Sequence, residues 1–195
     1  MRSGSRAEWC LQRAFSAREA PVTVAGLVQF HIAIVTGDMQ AAIDRYSRVL
    51  GVEGWSFWDR MPPGSPTRVA YGHGAGNTWE LISIEKDGTT QFHEFYKQHG
   101  EGVQHIGFWC PDLRGSVREA LEAGGEIVSA LRDAQGNAAV HVKPGDLDAI
   151  DLPRSLFLTA GVGFTLEYFG PGSEDMYREW FKDDYDAMLK PPPWA

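Results

Sequence analysis

The chain has 195 residues, 43% of them hydrophobic and 23% charged, enough to bury a core without covalent staples. Its formal net charge of -8 argues against a broad nucleic-acid-binding surface. Two distant cysteines, Cys10 and Cys110, form no CxxC pair, and no apolar run reaches membrane-span length, which together exclude a disulfide framework and a spanning helix and fit a cytoplasmic protein.

Residues 1–26 read as an N-terminal extension. They carry arginines but lack the continuous apolar stretch of a secretory signal. Leu27 to Thr36 (LVQFHIAIVT) is rich in β-branched residues and predicts a buried strand. Asp38 is a good N-cap for MQAAIDRYSRVL, whose apolar positions fall at helical spacing, and Gly51 ends that helix. Strands are expected over Gly54 to Asp59, Arg68 to Gly72 and Thr78 to Ile84. The first two are separated by the loop MPPGSP, the last two by the turn GHGAGN. Thr89 to Gly100 (TTQFHEFYKQHG) predicts a short capped helix.

The pattern then restarts. Gly102 to Cys110 (GVQHIGFWC) predicts a strand, and Asp112 starts a helix over DLRGSVREALEAGG. Strands are expected near Glu126 to Leu131 and Ala138 to Val142, followed by an insert over 143–155 and a last strand, Gly163 to Phe169. Residues 173–195 read as a helical tail that PPPWA terminates.

The second half thus repeats the first as strand, helix and three strands, giving modules over 27–100 and 101–172. HIAIVTGDMQAAIDRYSRVLG aligns with HIGFWCPDLRGSVREALEAGG without a gap, so His31 and His105 occupy equivalent strand positions. Each module also places a glutamate in its closing strand: Glu80 in WELIS and Glu167 in LEYF.

Alternation along a strand assigns the faces. His31 points with Gln29 and Ala33, opposite Phe30, Ile32 and Ile34; His105 points with Gly107 and Trp109. Glu80 lies opposite Trp79 and Leu81, and Glu167 opposite Leu166 and Tyr168. Each of the four interrupts an apolar strand with an ionisable group, and burying a lone charge is costly unless it finds a partner or a metal. Two imidazoles and two carboxylates suit a first-row divalent ion. The competing readings are a hydrogen-bonded structural histidine and a glutamate facing water.

At these residues the chain resembles the vicinal oxygen chelate superfamily. That group includes glyoxalase I, methylmalonyl-CoA epimerase, extradiol dioxygenases and bleomycin-resistance proteins. The resemblance covers roughly Val28 to Gly170. It rests on FHIAIVTGDMQAAIDRYSRVLG, NTWELIS, EFYKQHGEGVQHIGFWCPDL and GVGFTLEYF, and KQHGEGVQHIGF looks most like the epimerase branch. It implies an α+β fold in which two paired βαβββ modules form a half-barrel around one metal. Carried over, the ligands are His31, Glu80, His105 and Glu167, and the cofactor is one divalent ion (Mn, Fe, Co, Ni or Zn). It also implies a homodimer.

The implied activity is a metal-dependent epimerase or isomerase. It would act by proton transfer alpha to the carbonyl of a small molecule, either an acyl-CoA thioester or a keto-sugar or cyclitol. Methylmalonyl-type epimerases usually have Gln where this chain has Glu80, and use a separate glutamate base upstream. Here Arg60 to Trp79 contains no acidic residue, which points to Glu80 or Glu167 as the base. Three alternatives stand beside this: a glyoxalase I-type lyase, which also carries four such ligands; an iron-dependent extradiol dioxygenase; and a metal-free small-molecule-binding protein.

Elsewhere, His73 in the glycine-rich turn reads as a turn residue or a pocket edge. His93 and His99 read as surface residues, and His141 and Lys143 as a solvated strand end or as groups that reach the substrate. Tyr71, Trp109 and Phe169 read as core aromatics or as the lining of an apolar pocket, and Cys110 as core.

Overall fold

In the computed structural model, residues 26–58, 64–133, 138–139 and 141–173 are described. The extension expected over 1–26 and the helix expected over 173–195 lie outside them, save Gly26 in the first case and Ser173 in the second. The elements run β1 (Val28–Thr36), α1 (Met39–Leu50), β2 (Glu53–Phe57), β3 (Thr67–Gly74), β4 (Asn77–Ile84), α2 (Gln91–His99), β5 (Gly102–Trp109) and α3 (Leu113–Glu122). Then come β6 (Glu126–Ile127), β7 (Leu131–Asp133), β8 (Ala138–Ala139), a 3-10 helix (Pro144–Ala149), β9 (Ile150–Asp151), β10 (Ser155–Thr159) and β11 (Thr165–Phe169).

The main sheet is curved, with eight strands in the order β2-β3-β4-β1-β5-β11-β10-β6. Read outward from its centre, each half has the same plan. The first strands of the two halves, β1 and β5, meet antiparallel, and each is flanked by the last strand of its own half, running parallel to it. The repeat seen in the sequence is therefore a repeat of topology. The matching helix starts are also built alike. Asp38 accepts a hydrogen bond from the Ala41 amide at 3.0 Å, and Asp112 accepts one from the Gly115 amide at 2.9 Å.

The second half departs from expectation in its middle. The strand expected over Glu126 to Leu131 is divided: Glu126–Ile127 pairs with β10, whereas Leu131–Asp133 belongs to a separate small sheet, β8-β7-β9. The strand expected over Ala138 to Val142 is reduced to Ala138–Ala139 in that small sheet, and His141 has a left-handed φ of 53°. The third strand of the second half is instead β10. It starts at Ser155, where the insert was expected to end. The excursion therefore takes in β7 and β8 as well as 143–155, which holds β9. The alternation in AAVHV signals an extended segment but carries no information about which sheet it joins. SLFLT is a short run hidden between Pro153 and Gly161.

Helix α1 covers the outer face of the first half through Ile34, Met39, Ala42, Ala70 and Leu81. Helix α3 does the same for the second half with Leu156, Leu158, Leu166 and Tyr168. The insertion is fastened on that outer side: Arg114 donates to the carbonyls of Leu147 and Ile150, and Leu147 is fully buried under α3. The inner face carries Phe30, Ala33, Val35, Val69, Tyr71, Ile82 and Phe169, with Phe92, Phe95 and Tyr96 of α2 packed against it. All four predicted ligands face this inner layer.

Candidate metal centre

Four adjacent strands at the middle of the sheet, β4, β1, β5 and β11, each contribute one side chain. The register explains how they meet. His31 stands opposite Gly107 and His105 opposite Ala33, with Ile32 and Ile106 paired between them. The histidines are thus diagonal neighbours on one face, each opposed by a residue too small to block its ring. A Cβ on Gly107 would overlap the His31 imidazole, so glycine is what leaves that space. Along the parallel pairs, Glu80 stands beside Ala33 and Glu167 beside Gly107.

The donor atoms converge. The Nε2 atoms of His31 and His105 are 3.0 Å apart. Glu80 Oε2 lies 3.2 Å from both, and Glu167 Oε2 lies 3.4 Å from His31 Nε2 and 3.0 Å from His105 Nε2. One donor atom from each of the four residues fits within 4.8 Å of all the others. Donors about 2.1 Å from a shared ion lie ~3.0 Å apart at right angles and ~3.4 Å apart at the tetrahedral angle. The five separations above span that interval, so the set has the dimensions of a coordination shell. Its charge also fits, because two carboxylates and two neutral imidazoles offset a divalent cation in a layer where each is less than a tenth exposed. Glu80 Oε2 is buried with, among the described residues, no donor beside it other than the two imidazoles, an acceptor of the kind a cation satisfies.

Without a cation the two imidazoles and the Glu80 carboxyl act on one another's protonation. Burial pushes the His105 imidazole down, but hydrogen bonds and charge from Glu167 and Glu80 outweigh it and carry the group up to about 9. His31 is raised as well: burial opposes the charge, and bonds to Glu167 and Glu80 prevail. Burial pushes the Glu80 carboxyl up, yet His105 and His31 hold it well below the usual carboxylate range.

Two neighbours support the cluster. Tyr71, directly opposite Glu80 across β3 and β4, donates its hydroxyl to Glu80 Oε1 at 2.9 Å, which leaves Oε2 facing the histidines. Burial and the Glu80 and Glu167 charges push that phenol well above its usual range, so it remains a donor. Gln104 Oε1 lies 2.6 Å from His105 Nδ1. Aromatic rings enclose the imidazoles: Phe30 and Phe169 beside His31, and Phe157 and Phe92 beside His105.

A profile described as the Glyoxalase/Bleomycin resistance protein/Dioxygenase superfamily matches residues 30–141. The chain belongs to that superfamily. No curated protein matches the chain in sequence. Among solved structures it is similar to hypothetical protein BH1468 from Bacillus halodurans C-125, with a TM-score of 0.53 and 17% identity over 74% of this chain and 94% of that one. It is also similar to methylmalonyl-CoA epimerase from Mycobacterium tuberculosis, with a TM-score of 0.50, 19% identity and 74% and 87% of the two chains covered. A Streptomyces coelicolor methylmalonyl-CoA epimerase in complex with 2-nitronate-propionyl-CoA gives a TM-score of 0.50 at 18% identity, covering 74% and 96%. At these identities the likeness establishes the superfamily fold and no particular reaction. No helix among the described residues is long and apolar enough to cross a membrane.

All four expected ligands are brought together; other expectations need correction. Phe30 does not point away from His31. Gln29 pairs with Phe108 and His31 with Gly107, so Phe30 is the extra residue of a bulge and packs edge-on against the His31 ring at 4.6 Å. His93 is not a surface residue but is buried. Its Nδ1 lies 2.7 Å from Thr90 Oγ1 and its Nε2 2.9 Å from the Lys86 carbonyl, a structural clamp on the loop before α2. Thr90 accordingly makes no side-chain cap for that helix. His99 is exposed, as expected, and Cys110 is core. His73 is half-buried on the face shared with Tyr71, with Nδ1 3.1 Å from Thr78 Oγ1. Tyr71, expected as core or pocket lining, and Gln104 are the hydrogen-bonded neighbours of the cluster whose contacts sequence reasoning missed. A hydrogen-bonded tyrosine opposite Glu80 follows from the β3–β4 register once the Ala75–Gly76 turn is placed, whereas nothing in the sequence marks the position of Gln104.

Proposed function

We propose that the chain is a divalent-metal-dependent enzyme that transfers a proton at a carbon next to a carbonyl, an epimerase or isomerase of a small molecule. The observation that carries this reading is the buried convergence of His31, Glu80, His105 and Glu167 within 4.8 Å. The four residues would hold the ion, and the ion, when bound, supplies Lewis acidity to a substrate carbonyl.

The two carboxylates take different parts in this reading. Glu80 is held by Tyr71 on one oxygen. Glu167 has, among the described residues, no hydrogen-bond donor other than the two imidazoles. Glu167 is therefore the carboxylate free to swing toward the substrate and accept the proton, and Glu80 the fixed ligand. The phenylalanine rings around the imidazoles make this an apolar layer, which strengthens charge interactions within it. A cytoplasmic homodimer completes the proposal, resting on the superfamily resemblance and the cysteine usage.

The test is solvent deuterium incorporation into candidate ketones and thioesters by metal-loaded protein. Glu167→Gln should keep most of its metal and lose exchange. Full exchange activity in that variant would remove Glu167 as the base, and a purified protein that takes up no divalent ion would end the reading. The second reading, a glyoxalase I-type lyase, is favoured by one observation: the second ligand is the carboxylate of Glu80, not an amide. Turnover that requires an added thiol would select it. A ring-cleaving dioxygenase is disfavoured by the fourth protein donor, which crowds the positions that a catechol and oxygen need; oxygen uptake with a catechol would reverse that order.

A further inference from the structure

The two halves of the sheet hold their histidines in different ways. β1 and β5 each carry an extra, bulged residue immediately before the histidine: Phe30 before His31, and Gln104 before His105. A bulge brings the bulged side chain onto the same face as its neighbour. In the first half that neighbour is an apolar ring, and His31 Nδ1 is buried with no hydrogen-bond partner among the described residues. In the second half it is a buried amide. Gln104 Oε1 lies 2.6 Å from His105 Nδ1, and Gln104 Nε2 donates to Thr165 Oγ1 at 3.4 Å. Thr165 is the residue directly opposite His105 on β11, so the amide is anchored across the strand pair.

An amide oxygen only accepts, so this contact requires the proton of neutral His105 to sit on Nδ1. The lone pair is then on Nε2, the atom that faces Glu80, Glu167 and His31. We infer that Gln104 is a positioning residue, fixing His105 in the Nδ1–H tautomer with Nε2 open to the cation, through an anchor on Thr165. The duplicated half lacks the device, because Phe30 stands where Gln104 would. The inference rests on the metal reading above.

The test measures zinc dissociation constants by competition with a chromophoric chelator, together with imidazole NMR of the zinc-loaded protein. Gln104→Leu should weaken zinc binding by about ten- to a hundredfold, the usual loss when a partner of a ligating histidine is removed. It should also abolish the hydrogen-bonded Nδ1–H signal of His105 and leave the ring carbon-proton signals of His31 unmoved. Gln104→Glu keeps an acceptor in place and should restore both. Thr165→Val should give a smaller loss of the same sign. Equal zinc affinity in wild type and Gln104→Leu overturns the inference, as does a Gln104→Glu as weak as Gln104→Leu. If Gln104→Leu does not fold, a Thr165→Val with wild-type affinity and an unchanged His105 signal overturns it. A wild type that binds no zinc overturns the metal reading and this inference with it; a wild type that binds beside a Gln104→Leu that binds equally overturns this inference alone.

Discussion

Replacing Tyr71 with phenylalanine removes the hydroxyl that bonds Glu80 at the centre. The ring stays in the inner apolar layer, so no cavity opens, and the 2.9 Å bond to Glu80 Oε1 is lost. Hydrogen bonds to charged groups contribute roughly 1.5–3 kcal/mol, and the partner left behind here is a buried carboxylate. A second route gives a similar figure. Loss of a hydrogen bond that orients a ligand typically costs about 10–100-fold in metal affinity, or ~1.4–2.7 kcal/mol. For a domain of this size the same energy lowers the melting temperature by roughly 3–12 °C. Tyr71→Phe should therefore melt lower as the metal-free protein and bind a divalent ion at least several-fold more weakly, with little change in the circular dichroism of the folded state. The assays are thermal melts of chelator-treated protein and chelator competition for the ion. A variant that matches wild type in both would show that Glu80 is not oriented by Tyr71 and would undercut its assignment as the fixed ligand.

Metal binding should release protons, because His105 titrates at about 9 in the metal-free chain and must be neutral to coordinate. Affinity should then rise about tenfold per pH unit for each proton displaced until pH passes roughly 9. Calorimetry in buffers of different ionisation enthalpy checks this, and a flat pH profile counts against it. The sign for stability is opposite. A raised imidazole contributes fully to the metal-free fold below its ordinary value of 6.5, and that contribution is lost as pH rises through about 9. Gly107→Ala should displace the His31 ring, lower metal affinity sharply and cost about 1–3 kcal/mol of stability from overpacking; wild-type affinity there would contradict the tight approach. Leu147→Ala, on the outer side beneath α3, should cost roughly 2–5 kcal/mol yet leave metal affinity unchanged. A selective loss of metal binding in that variant would place the insertion at the site instead.

The ligands were legible because duplication made them so. One buried histidine or one strand glutamate has several ordinary explanations. The same pair recurring at equivalent positions, each followed at seven residues by a helix-capping aspartate, has fewer. The elements that failed are those whose identity depends on partners. The alternation in 138–142 is present in the sequence, but its described strand residues, Ala138 and Ala139, pair in the small sheet. Ser155–Thr159 became the module's third strand because Leu156 and Leu158 fill the layer under α3 while Phe157 reaches the His105 ring. His93 looked like a surface residue because a buried histidine that bonds a carbonyl seven residues back leaves no periodic trace.

The bulges are the sharpest case of what alternation conceals. Strict alternation along β1 and β5 sends Phe30 and Gln104 to the outer face, where a buried amide would face the apolar layers under the helices and find no acceptor there. Because the two strands are antiparallel and each carries one extra residue, the shifts compensate around the Ile32–Ile106 pair, and both histidines stay on the inner face. The extra residue costs each strand a ladder bond but places a second side chain beside each ligand, a ring in one half and an amide in the other. The symmetric part of the sheet therefore specifies where four donors meet. The asymmetric residues at the bulges, with Tyr71 on Glu80 alone, give His105 and Glu80 each a hydrogen-bonded partner outside the cluster and leave His31 and Glu167, among the described residues, as the pair without one. A reaction that needs one carboxylate to leave the cation and return would draw on that second pair.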